Sequence, residues 1–92
     1  MNKQVSEFVK AVKENARKVW TEADDASFID SLLYVREDHE GTAIMDNYER
    51  FFDSIYRVDA KGNWYVRNGY YSSEKPYTFE KAMSDASIMY TG

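Results

Sequence analysis

Apolar positions recur at three- and four-residue steps through the first twenty residues: Val5, Phe8, Val9, Val12, Ala16, Val19 and Trp20. That spacing lines one face of an α-helix and predicts a helix over 3–20, with lysines, Arg17 and glutamates opposite. Glu14 stands four residues before Lys18, the favourable direction for a helical ion pair. Phe28, Ile29, Leu32, Leu33 and Val35 then continue at helical spacing behind Asp24 and Asp25, either of which suits an N-cap. Helix is preferred here, although Leu-Leu-Tyr-Val also suits a strand over 31–36. Glu37-Asp38-His39-Glu40-Gly41 closes the segment, with Gly41 as a C-terminal stop. Ile44, Tyr48, Phe51, Phe52 and Ile55 predict a third helix over 43–55, capped by Thr42. The adjacent Phe51 and Phe52 do not fit strict alternation.

The period then falls to two. Tyr56-Arg57-Val58-Asp59 and Asn63-Trp64-Tyr65-Val66-Arg67 flank Ala60-Lys61-Gly62, which predicts a β-hairpin. Asp59 suits the first position of a type I turn, and Gly62 the left-handed position that ends it. Asn68-Gly69 offers a second turn, which leaves Tyr70-Tyr71 for a strand end or third strand. Ser72 to Pro76 reads as a loop. Thr78 then caps a last helix with Phe79, Ala82, Met83, Ala86 and Met89 on one side. The expected fold is α+β in the order ααα-ββ(β)-α, one domain over 1–92, with helices packed on a short antiparallel hairpin or three-stranded sheet.

Length fits one such domain. A chain of 92 residues buries about 60–65% of the surface its unfolded form exposes, enough for one core with little room for a deep cavity. Eight Tyr, five Phe and two Trp supply large buried areas to that core. Cysteine is absent, so disulfides and thiolate metal sites are excluded. The first ten residues lack the apolar stretch of a signal peptide, and no apolar run approaches the roughly 20 residues of a membrane span. A soluble, cytoplasmic protein is expected.

Charge is distributed unevenly. The formal net charge is -4. Residues 1–20 carry five basic and two acidic side chains, residues 21–60 three and eleven, and residues 61–92 four and three. The acidity is concentrated in the middle of the chain.

Candidate chemistry is sparse. His39, the single histidine, sits in a polar Glu-Asp-His-Glu turn, where an exposed histidine is the simplest reading. No second histidine completes a zinc site. The carboxylates of that turn are bunched, not alternating as in a calcium loop. No nucleophile elbow, phosphate loop or dinucleotide fingerprint occurs. No catalytic, cofactor or metal residue is assigned, and the chain is expected not to be an enzyme.

Binding surfaces are better represented. The acidic middle offers Glu37, Asp38, Glu40, Asp46, Glu49 and Asp53. Clustered in space, these carboxylates would dock a basic groove, because they stand in for phosphates electrostatically. The hairpin offers Arg57, Tyr65 and Arg67 on one face, with Lys61 at its tip and Tyr56, Val58, Trp64 and Val66 on the other. Interleaved basic and aromatic residues on a sheet suit protein hot spots or stacked nucleic-acid bases. The basic side of the first helix is interrupted by Glu7 and Glu14.

The stretch Glu40-Gly41-Thr42-Ala43-Ile44-Met45-Asp46-Asn47-Tyr48-Glu49 is loosely similar to a short patch in antirestriction proteins of mobile elements, which imitate DNA with carboxylates. It covers about a tenth of the chain. In size and character the chain also resembles the small inhibitors that phages carry against host defences, such as anti-CRISPR proteins. No motif carries that second likeness, and it assigns no residue a role. The function expected is a non-enzymatic inhibitor or adaptor that binds a protein partner, a nucleic-acid-handling complex with a basic groove. Direct nucleic-acid binding through the hairpin is the alternative.

Overall fold

The computed structural model describes residues 2–19, 29–47, 54–69 and 71–90. The first helix forms where its spacing predicts, as α1 (Lys3–Val19), with Val5, Phe8, Val12 and Ala16 fully buried. Asn2 opens it: its side-chain oxygen accepts the Gln4 N–H at 2.7 Å, and its carbonyl accepts that of Ser6. The first bond satisfies one of the amide groups that a helix start leaves unpaired, and the second is the first regular bond of the helix. Arg17 and Lys18 close the last turn, where cations oppose the negative end of the helix dipole. Glu14 pairs one turn back, 3.9 Å from Lys10.

The centre of the chain is an antiparallel meander: β1 (Leu33–Asp38), β2 (Gly41–Asp46), β3 (Ser54–Asp59), β4 (Trp64–Asn68) and β5 (Lys75–Tyr77). Each strand pairs with its sequence neighbour, giving an open five-stranded sheet in the order β1-β2-β3-β4-β5. The final helix, α2 (Phe79–Ile88), follows. The fold is α+β, in the order α-βββββ-α.

Two expected helices are therefore corrected. Ile29–Asp30 is helical, but residues 33–38 extend as β1, and 41–46 form β2 in place of a third helix. The competing strand pattern of Leu33-Tyr34-Val35 prevails, because it has a partner to pair with. In β2 inward and outward residues alternate without exception. Ile44 and Ile55, eleven residues apart, lie on different strands and different faces. The same turn signals were present with another meaning. The Asp38 Oδ1 accepts the Glu40 N–H at 2.8 Å, and Gly41 adopts φ +136°, so Asp38-His39-Glu40-Gly41 is a hairpin turn and not a helix end. Thr42 is a buried strand residue, not a cap. The pattern positions Tyr48, Phe51 and Phe52, and the candidate caps Asp24 and Asp25, lie outside the described residues.

The second hairpin forms as predicted. Asp59 Oδ1 accepts the N–H groups of Lys61 and Asn63, each at 2.9 Å, and the Gly62 N–H closes the turn on the Asp59 carbonyl at 3.0 Å. Gly62 takes φ +90°. The further strand is Lys75–Tyr77, in what reads from sequence as a loop, and it pairs with β4 through Trp64↔Tyr77 and Tyr65↔Pro76.

Strand pleat divides the sheet into two faces. On the inner face, register sets Val35 beside Ile44, Ile44 beside Tyr56 and Tyr56 beside Val66; a second row runs Glu37, Thr42, Val58, Trp64 and Tyr77. Both helices pack here. Phe8 of α1 lies with its ring centroid 4.8 Å from Tyr56 and 5.5 Å from Trp64, and Trp64 meets Phe79 of α2 at 5.5 Å. Burying a ring of this size stabilises the fold by roughly 1.5–3 kcal/mol. Ala82 and Ala86, with no bulk beyond Cβ, bring α2 close to this layer. Thr78 caps α2 as predicted, accepting the Lys81 N–H at 3.1 Å.

Polar ties join the layers. Trp64 Nε1 donates to Gln4 Oε1 at 2.9 Å, and Asn15 Nδ2 donates to the Met89 carbonyl. The hydroxyls of Tyr56 and Tyr77 both donate to Asp85 Oδ2. Tyr90, at φ +69°, directs its hydroxyl to Asp46.

Candidate partner-binding surface

With α1 and α2 both on the inner face, the outer face carries no helix among the described residues. Pleat alternation brings one row of residues across it: Arg36, Ala43, Arg57, Tyr65 and Pro76 on successive strands. The neighbouring row holds Tyr34 beside Met45, and Ile55 beside Arg67. At the end of the sheet that holds both tight turns, Asp38, Gly41 and Asp59 are aligned.

Arg57 is the best-fixed side chain of this face. Its Nε and Nη2 each donate to a Glu74 carboxylate oxygen at 2.7 Å, and its guanidinium carbon stands 4.5 Å from the Tyr65 ring centroid. A two-point bond of this kind fixes orientation as well as distance. The hydrogen bond from Arg57 holds the Glu74 carboxyl below its ordinary range, with the charge of Arg57 and then Arg67 adding to it. Arg57 is raised in turn, first by its bond to Glu74.

Arg36 and Arg67 are held differently. Arg36 has Asp38 at 4.0 Å, too long for a hydrogen bond. The Nε of Arg67 is buried and has no hydrogen-bond partner. Between the arginines lie Ala43, Met45 and Ile55, all half-buried. An open concavity of about 440 Å³ has the small residues Gly41, Thr42 and Ala43 in its lining, with Arg36, Arg57, Asp38 and Glu40 around them.

Asp59 and Asp38 are engaged in their own turns. Asp59 accepts from Lys61 N, from Asn63 N and Nδ2, and from the Tyr65 hydroxyl at 3.3 Å. These bonds, the Asn63 amide first, hold its carboxyl below the ordinary value. Asp38 accepts the Glu40 N–H.

The candidate residues from sequence are thus partly gathered. Arg57, Tyr65 and Arg67 share the outer face, and Asp38 and Glu40 line the concavity beside Arg57. Glu37 falls on the opposite pleat, across from Thr42. Asp46 lies inside the fold, only 3% exposed, at the other end of β2. Glu49 and Asp53 lie outside the described residues. The described acidic residues do not form one face. His39 is almost wholly exposed, 3.8 Å from Glu40. Among the described residues no three His, Asp or Glu side chains converge as metal ligands, and no helix is long and apolar enough to cross a membrane.

Sequence reasoning missed Tyr34, Arg36 and Glu74. The alternation of Tyr34, Arg36 and Asp38 was the available signal for the first two, hidden by the helical reading. Glu74 had none, since its partner is 17 residues away.

Comparisons of this chain with protein-family models, with curated proteins and with solved structures find no match.

Proposed function

We propose that the chain is a non-enzymatic protein-binding domain, an inhibitor or adaptor, that docks its partner on the outer face of the sheet. The observation that carries this reading is the asymmetry of the two faces. Both helices cover one, while the other presents Tyr34, Arg36, Arg57, Tyr65 and Arg67 beside Met45 and Ile55. Tyr, Arg and Met are enriched at interface centres. The bond from Arg57 to Glu74 fixes part of this surface in advance, which reduces the ordering cost of binding.

Strand addition at the sheet edges is less favoured. The β1 edge carries Arg36, Glu37 and Asp38, and β5 has three residues with Pro76 at its centre. Charge, shortness and proline all oppose edge pairing. Direct nucleic-acid binding is also less favoured. Arg57 covers one side of the Tyr65 ring, and Glu74 occupies Arg57.

The acidic turn supports a second reading, in which Asp38 and Glu40, with Glu37 behind them, enter the basic groove of a nucleic-acid-handling complex. Their common position at the end of the β1–β2 hairpin favours it. Both readings place the protein in the cytoplasm, with which its lack of cysteine is compatible.

Partner capture with the full chain, repeated with variants, separates the readings. Loss of the partner with Arg67→Glu and Tyr34→Ala, but not with Glu37→Lys and Glu40→Lys combined, is expected. The reverse pattern moves docking to the acidic turn and rejects the outer face.

A further inference from the structure

We infer that the partner segment seated on the outer face is acidic: a protein segment whose apolar side chains lie on Ala43, Met45 and Ile55 and whose flanking carboxylates meet Arg36 and Arg67. This rests on the outer face being the docking surface.

The argument is one of charges already spent and charges still available. Asp59 makes four hydrogen bonds within its own hairpin, and Asp38 accepts one within its own turn. Glu74 and Arg57 neutralise each other through two bonds. That leaves the exposed Glu40 at the turn end of the concavity, and two guanidiniums: Arg36, 4.0 Å from Asp38, and Arg67, whose enclosed Nε–H has no acceptor. A guanidinium donates through a fixed fork of N–H groups. Arg67 Nε is enclosed, so an incoming carboxylate meets the outer end of the guanidinium and displaces no bond that Nε now makes; a two-point carboxylate contact suits the guanidinium fork.

Spacing sets the reach of the segment. Arg36 and Arg67 are separated by three strand spacings and sit one outward row apart. At about 4.8 Å per strand and about 3.4 Å per residue, their Cα atoms stand roughly 16 Å apart. About five residues of extended chain, or three turns of helix, cover that distance. The half-buried strip of Ala43, Met45 and Ile55 between them supplies the apolar footing. A nucleic acid would bring charge to this strip but no apolar side chains.

Selection of a random-peptide library on the immobilised full chain tests the inference. The expected peptides carry apolar residues flanked by Asp or Glu, and their affinity falls about tenfold with either Arg36→Ala or Arg67→Ala, a loss typical of an interfacial charge pair. Circular dichroism of each variant checks that the fold is kept. An empty selection overturns the inference. So do Lys- or Arg-rich peptides; if Tyr34→Ala abolishes their binding, the outer face stands and the partner's chemistry falls. Acidic peptides that bind equally well to Arg36→Ala, Arg67→Ala and Tyr34→Ala remove the face itself. Single-stranded oligonucleotides that bind more tightly, with the same arginine dependence, assign the face to nucleic acid. Self-association abolished by Arg67→Glu in sedimentation assigns it to a second copy of the chain.

Discussion

The Tyr56 hydroxyl donates to Asp85 Oδ2 at 2.8 Å, tying the centre of the sheet to the final helix across 29 residues. Tyr77 donates to the same oxygen at 2.6 Å. One carboxylate therefore satisfies two phenols at the edge of the core. Asp85→Ala leaves both donors without that acceptor and is expected to cost about 2–4 kcal/mol, whereas Tyr56→Phe, which removes one hydrogen bond, costs about 0.5–1.5 kcal/mol. Urea unfolding of the three proteins measures the difference.

The same cluster sets an alkaline limit on stability. Burial first, then the hydrogen bond and charge of Asp85, push the Tyr77 phenol from 10.0 up to about 12, and Tyr56 is raised by the same causes. A raised value in the folded state means that the contribution is full below pH 10 and is lost as pH rises through 12. Stability followed by denaturant melts should decline across that window. Tyr77→Phe should flatten the decline.

Asp46 and Glu40 both belong to the acidic middle in sequence, yet charge reversal should affect them very differently. Asp46 is buried with its carboxylate toward the Tyr90 hydroxyl, while Glu40 is exposed. Asp46→Lys places a cation in that buried position and is expected to cost more than about 3 kcal/mol. Glu40→Lys stays within about 0.5 kcal/mol. Thermal melting distinguishes them, and any binding experiment that reverses Asp46 will report on folding.

Glu74 and Arg57 should be coupled, but weakly, because each side chain is more than a third exposed. A double-mutant cycle with alanine at each position is expected to give about 0.5–1 kcal/mol. The Glu74 carboxyl lies below its ordinary 4.5, so the coupling is present above that pH and fades as pH falls through the lowered value. The cycle repeated at acid pH checks the sign.

Gly41 admits no side chain. A Cβ there would collide with the Val58 carbonyl oxygen and lie 2.8 Å from Asp59 Cα, on a backbone already at φ +136°. Gly62 also has positive φ, but a Cβ meets nothing within 4 Å. Gly62→Ala should cost roughly 1–2 kcal/mol, the conformational penalty alone. Gly41→Ala should cost more, since β2 and β3 must part. Melting temperatures of the two variants give the comparison.

What could be read from sequence follows the range of each interaction. α1, the β3–β4 hairpin and the Thr78 cap depend on residues a few positions apart, and all three form as expected. The stretches 33–38 and 41–46 misled because their apolar residues fall by coincidence at helical spacing with others before and after them in the sequence. Ile44 illustrates the point. Its i+4 and i+7 neighbours in sequence suggested a helix face, but its true neighbours are Val35 and Tyr56 on flanking strands. The pairing of Arg57 with Glu74 is equally non-local. Arg57, Tyr65 and Arg67 were found because alternation within one hairpin is a local signal.

The meander order also has a kinetic consequence. Every strand pairs with its sequence neighbour, so the sheet can form hairpin by hairpin with little loop-closure entropy to overcome. The ties that cross the chain are different: Gln4 to Trp64 spans 60 residues, and Asn15 to Met89 spans 74. Both belong to α1, whose docking closes the longest loops among the described residues. α1 is synthesised before the residues it bonds, so its long-range hydrogen bonds wait for Trp64 and Met89 to emerge.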